Sequence, residues 1–169
     1  PPGYDESGAQ NYPVAYVHDG GEYISLGSMG NVIENLLDEN TIDPIIAVFV
    51  SPINRGDEYA DANRFNFAQF IVETLVPTID SNYNTLAHRK FRLTMGASFG
   101  ANISGLISFT YPEVFANSGW HSPALWPNEG EVALLYLGEK KDINIYFNYG
   151  TYENLGVNWE EFRIALDGY

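Results

Sequence analysis

Cysteine is absent from the 169 residues. That removes disulfide frameworks, thiolate zinc sites and thiol nucleophiles, and leaves the redox compartment open. Basic residues are scarce: 8 Lys plus Arg stand against 22 Asp plus Glu, a net charge of −14. A balance of that sign repels phosphate backbones and anionic lipid, which argues against nucleic acid and acidic membranes as partners. A highly anionic substrate would need a local basic pocket. Long hydrophobic runs are missing too. The longest, such as Pro44–Val50, are strand-length and too short to span a bilayer. No signal peptide, internal repeat or low-complexity segment is visible. The opening Pro1-Pro2-Gly3 leaves room for a removed leader, which favours a secreted or periplasmic location over a cytoplasmic one.

What is present is core-forming material. Hydrophobic residues make up 45% of the chain and aromatics 15%, enough for one ordinary domain over residues 1–169 and too little chain for two. Pro13–His18 is a short apolar run ended by Asp19-Gly20-Gly21, a buried strand entering a tight loop. Ile33, Leu36 and Leu37 recur at helical spacing within Ser28–Asn40, with Ser28 as N-cap. Pro44–Val50 is continuous and β-branched, the pattern of a strand covered on both faces in a parallel sheet. Ser51–Asn63 reads as a charged loop, and Phe67, Phe70, Ile71 and Leu75 mark a helix reaching Pro77 or Ile79. Strands follow at Phe91–Met95, Val114–Ser118 and Ile143–Asn148. Helices are expected over Asn102–Tyr111 and Asn158–Leu166, and Trp120–Lys140 is an irregular excursion. Five strands alternating with helices predict an α/β domain with a mainly parallel sheet.

Gly96-Ala97-Ser98-Phe99-Gly100 matches G-x-S-x-G. With 16 glycines in the chain, roughly 0.09 chance matches are expected, so context decides. Here the motif follows one predicted strand and opens one predicted helix, as a nucleophile elbow requires. A sharp turn at Ser98 lifts its hydroxyl above the sheet. Small residues two before and two after leave room for the strand–helix approach, and the helix N-terminus favours developing negative charge. An acyl-transfer serine also needs an oxyanion hole. The Phe99 amide supplies one donor. The loop after the first strand supplies the other, assigned to Gly21 with Gly20 as alternate, because glycine lets the backbone approach a ligand.

In the order YPVAYVHDGGEY, PIIAVFVSP, Arg55-x-x-Glu58-Tyr59, LVPTIDSNY and GASFG, the chain resembles the esterase family of α/β-hydrolases. That family includes enterochelin esterase, esterase D and the feruloyl and acetyl-xylan esterases. The resemblance covers essentially the whole chain. It implies a three-layer α/β-hydrolase sandwich and a serine ester hydrolase that needs no cofactor and no metal. The implied substrate is a small-molecule or carbohydrate ester, such as an acyl or feruloyl ester of a sugar or a siderophore-like ester. It also implies Glu153, in Gly150-Thr151-Tyr152-Glu153, as the triad acid, ahead of Asp142 at the other end of its strand. The family's general base is a histidine on a later loop, expected beyond Tyr169. His18 falls on the wrong side of the nucleophile, His88 reads as surface, and His121 precedes Glu153 in the chain. Two strands at the front and one at the back of the family's eight are likewise expected outside these residues.

Other signals carry less. Asp80-x-Asn82-x-Asn84 opens like a calcium loop but lacks the glycine and glutamate that should follow. His18, Asp19 and Glu22 suggest a metal cluster that a strand end would scatter. Arg55, Asp57, Glu58 and Asp61 read as a solvated loop, with substrate contact by Arg55 as the alternative. Trp120 and His121 are expected to line the pocket, with core packing the competing reading for Trp120 and Trp126. A non-catalytic carbohydrate-binding or interaction module and an acyltransferase stand as alternatives, and a homodimer is left open.

Overall fold

A computed structural model describes residues 1–153 together with Phe162 and Ile164. The expected helix at Asn158–Leu166 therefore lies largely outside the described residues. Among them, five parallel strands form one sheet in the order β2-β1-β3-β4-β5. They are β1 (Val14–His18), β2 (Ile46–Val50), β3 (Arg92–Ala97), β4 (Asn117–His121) and β5 (Asn144–Asn148). Alternation along each strand sorts side chains between the two faces. Val14 and Tyr16 enter the main core with Tyr59, Phe67, Ile103, Leu106 and Trp120, while Ala15 and Val17 turn to the opposite face.

The helices are α1 (Gly20–Ser25), α2 (Met29–Asp38), α3 (Arg55–Ala60), α4 (Arg64–Phe70), α5 (Val76–Asn82), α6 (Phe99–Thr110) and α7 (Pro127–Gly138). A π-helical turn over Ile71–Leu75 joins α4 to α5. This register change sits just ahead of Pro77, which has no N–H to offer Glu73 and whose ring would crowd it. The helix consequently passes through Pro77 and ends at Asn82 rather than at Ile79. Helix α6 is the axis of the core: every residue from Gly100 to Phe109 is buried.

Several local expectations are corrected. The fourth strand starts at Asn117 rather than Val114, because the Val114 and Phe115 amides still donate to the Tyr111 carbonyl in the turn leaving α6. Ser28 precedes α2 but makes no side-chain cap, its backbone being left-handed at φ 50°. The charged loop contains α3, capped by the Asn54 side chain accepting from the Asp57 amide. The excursion after Trp120 contains α7.

Candidate active site

The elbow rests on two close approaches. A Cβ on Gly96 would lie 2.5 Å from the Gly100 carbonyl carbon, so β3 and α6 come together only because Gly96 carries no side chain. A Cβ on Gly100 would lie 2.8 Å from Asp19 Oδ2. Between them Ser98 sits at φ 56°, ψ −118°, a region that costs a non-glycine residue of order 1–3 kcal/mol and is held only by its surroundings. Those surroundings are explicit: the Ser98 amide donates to the His121 carbonyl at 3.0 Å, and its carbonyl accepts from Ala101, Asn102 and Ala124 at 3.1 Å each. Phe99 opens α6, so its N–H has no partner within the helix.

Ser98 opens into a cavity of about 590 Å³ lined by Asp19, Glu22, Tyr23, Gly27, Arg55, Ala97, Ser98 and His121. The β1–α1 turn forms one wall. Asp19 is left-handed at φ 58°, and α1 begins immediately after it. Gly20 packs so tightly on β2 that a Cβ would lie 2.6 Å from the Phe49 backbone. Gly21 is less confined, with Ser51 Oγ at 3.4 Å from such an atom, and its N–H donates to that oxygen at 3.3 Å.

The three histidines have distinct fates. His18 is fully buried, with Nε2 3.0 Å from Thr94 Oγ1 and no partner for Nδ1. Burial pulls its pKa down to about 3, so the ring is neutral at physiological pH. His88 precedes β3, at the end of that strand opposite Ser98, and its Nδ1 accepts from the Lys90 amide. His121 lines the cavity, half-buried, with Nδ1 2.8 Å from the Tyr23 hydroxyl. Burial also lowers its pKa.

Glu153 follows β5 beside this edge of the sheet, exposed and outside the cavity lining. Its Oε1 accepts from Ser122 Oγ at 3.0 Å and its Oε2 from the Gly150 amide at 3.1 Å. The carboxylate is thereby held next to the residue that follows His121. Asp142 pairs with Arg89 at the far end of the sheet. Asp80 accepts from Thr85 and Arg92, a structural role for the calcium-like segment.

The expectations for Trp120 and Arg55 part ways: Arg55 lines the cavity and Trp120 does not. Trp120 is fully buried, its Nε1 donating to Ser118 Oγ and its ring edge-on to Tyr136. Strand alternation points Trp120 toward α6 and α7 and sends its neighbour His121 the other way, so Trp120 belongs to the core. Arg55 is no solvated loop residue. Its Nε and Nη2 donate to the two Asp19 carboxylate oxygens at 2.8 and 2.7 Å. Asp19, Glu22 and Tyr23 complete the cavity and were not singled out as pocket residues from the sequence. The pairing of an acidic residue before the glycines with Arg55-x-x-Glu58-Tyr59 was the available signal.

Residues 1–164 match the protein family described as "Putative esterase". The chain belongs to this esterase family. It is 31% identical over 147 residues to YjcH of Bacillus subtilis, an uncharacterized protein, spanning 84% of this chain and 61% of that one. It is also 31% identical over 118 residues to an endo-1,4-beta-xylanase/feruloyl esterase of Xylanibacter ruminicola, spanning 65% of this chain and 16% of the relative. The chain thus covers less than two thirds of either relative. Its fold matches the enterobactin esterase FES of Shigella flexneri with a TM-score of 0.82 at 17% identity, over 94% of this chain and 44% of that one. It matches the CE1 ferulic acid esterase of Anaeromyces mucronatus with a TM-score of 0.77 at 23% identity, over 99% and 70%. These solved structures share the fold of the chain, including its parallel sheet.

Proposed function

We propose that the protein hydrolyses carboxylic esters through an acyl-enzyme on Ser98. The observation that carries this is the strained Ser98 backbone at φ 56°, ψ −118°, at the strand–helix junction where the cavity opens. Strain of that kind, maintained by glycines at both sides, has a use when it presents a nucleophile. The Ser98 hydroxyl attacks the ester carbonyl as its proton passes to an imidazole. The Phe99 N–H and the Gly21 N–H hold the oxyanion, with Gly21 exchanging its long bond to Ser51 Oγ for the stronger charged acceptor. The alcohol leaves with the imidazole proton, and water activated by the same ring releases the acid.

Glu153 orients the imidazole, a role supported by the hydrogen bonds that hold its carboxylate beside Ser122. The geometry of the three histidines supports a base from outside these 169 residues, since His18 is sealed in the core, His88 is remote and His121 is engaged by Tyr23. The feruloyl and enterobactin esterase relatives support an acyl or feruloyl ester of a sugar, or a siderophore-like ester, as substrate.

The test is fluorophosphonate labelling of the full-length protein, with p-nitrophenyl acetate turnover alongside. Labelling confined to Ser98, a burst of p-nitrophenolate, and loss of both in Ser98→Ala are expected. An adduct on another serine, or no labelling at all, overturns the reading. Acyl transfer to an added sugar in preference to water would make the protein a transferase.

A further inference from the structure

The Arg55-Gly56-Asp57-Glu58-Tyr59 segment converges on one residue of another loop. Arg55 clamps both carboxylate oxygens of Asp19 at 2.7–2.8 Å. The Tyr59 hydroxyl accepts from the Asp19 amide at 3.2 Å. Glu58 shapes the approach, its carboxylate accepting from the Ile53 and Asn54 amides at 3.1 Å each. Asp19 is therefore fixed at both its backbone and its side chain, in the left-handed conformation that starts the Gly20-Gly21 turn.

The same guanidinium reaches the elbow. Arg55 Nη2 is 3.3 Å from the Ala97 carbonyl, and its Cζ lies 5.4 Å from the centre of the Phe99 ring. Those residues flank Ser98 on either side. The Asp19 carboxylate itself lies against Gly100, within 2.8 Å of where a Cβ would be. Its side chain is only 6% exposed, against 39% for Arg55. A buried carboxylate this close to a site that gathers negative charge opposes catalysis unless a cation neutralises it. Glu22 adds a second carboxylate to the same cavity, and Arg55 is the only Lys or Arg among the described residues lining it.

Resting on the reading of Ser98 as an acylated nucleophile, we propose that Arg55 and Asp19 are paired positioning residues. They lock the glycine turn to the residues flanking the nucleophile and keep the Asp19 charge from opposing the oxyanion. Neither touches the reacting atoms. Asp19 alone would place the turn but poison the site, and Arg55 alone would have nothing to hold.

The experiment compares kcat and KM for an activated aryl ester in the full-length protein and four variants: Arg55→Met, Arg55→Lys, Asp19→Asn and the double Asp19→Asn/Arg55→Met. Wild type against Ser98→Ala tests ester hydrolysis itself, so loss of that reading shows separately from loss of this one. Arg55→Met should lower kcat by about 10- to 100-fold, with KM changed less than about threefold, the signature of a defect in transition-state stabilisation. Arg55→Lys, which keeps the charge without the bidentate fork, should recover part of the loss. The double variant should exceed Arg55→Met in kcat, because it no longer leaves a carboxylate unpaired. Should Arg55→Met fail to fold, Arg55→Lys against Asp19→Asn carries the test, both being expected to lower kcat rather than raise KM. An unchanged kcat in Arg55→Met, a loss confined to KM, or a double variant no better than Arg55→Met overturns the proposal.

Discussion

Tyr23 and His121, 98 residues apart, meet across the mouth of the Ser98 cavity, with the phenol oxygen 2.8 Å from Nδ1. Burial, with a smaller contribution from the Asp19 charge, pushes the Tyr23 phenol up to about 12, so it stays protonated. Burial lowers the His121 pKa, so the ring is neutral at pH 7. We read a ring whose Nδ1 is tied to this phenol as a wall of the cavity rather than its base. His121→Gln and Tyr23→Phe should each change kcat/KM by about fivefold, the value of one hydrogen bond. The rise in rate through a pKa of about 6.5 should stay in place. If that rise disappears in His121→Gln, His121 is the base and the outside histidine is not needed.

Ser98→Gly should make the protein more stable while abolishing ester hydrolysis. Glycine adopts φ 56°, ψ −118° at little cost, whereas serine is strained there. Released strain less the glycine's extra chain entropy leaves a gain of about 1 kcal/mol. Urea unfolding of wild type, Ser98→Gly and Ser98→Ala measures it, and equal stability in all three would mean the elbow stores no strain.

The two glycines of the β1–α1 turn should separate fold from chemistry. Gly20→Ala drives a Cβ into the Phe49 backbone at 2.6 Å and should cost about 2 kcal/mol or more. Gly21→Ala meets only Ser51 Oγ, at 3.4 Å, and should leave stability within about 0.5 kcal/mol. Gly21→Val should still lower kcat by about 10²-fold through the oxyanion donor. Unfolding curves and kcat on the same preparations decide both points, and an unaltered kcat in Gly21→Val would move the donor to another amide.

Acid should unfold the protein partly through His18. Its pKa is about 3 when folded against about 6.5 in an unfolded chain, so the unfolded state binds the extra proton. The neutral ring's contribution is intact above pH 6.5 and is lost as pH falls from there toward 3. The slope approaches about 1.4 kcal/mol per pH unit for one proton. Between pH 7.5 and 4.5, wild type should lose about 3 kcal/mol more than His18→Gln. Parallel losses in the two proteins would mean that His18 can be protonated inside the fold.

Much of this was legible in the chain because it rests on local chemistry. The strand–turn–helix around Ser98 follows from an apolar run, small residues at two fixed offsets and an apolar helix after it. The structure places a strand at or overlapping each of the five expected stretches. The misplacements came where local pattern was contradicted by contacts elsewhere. Val114 and Phe115 look like strand residues, yet the end of α6 claims their amides. The polar composition of Ser51–Asn63 hid α3, whose formation depends on the Asn54 cap and on Asp19 receiving Arg55.

The amino-acid sequence by itself determined the α/β order of elements, the elbow and its serine, and the glycine that brings β3 onto α6. It did so because periodicity, turn residues and Cβ-free positions act over a few neighbours. Only the tertiary structure decided which face of β4 receives Trp120, that His18 is sealed and uncharged, that Tyr23 meets His121, and that Arg55 holds Asp19. A side chain's charge state and partner depend on burial and on groups tens of residues away. Those are set when the parallel register and the packing of α6 bring separate loops to one end of the sheet.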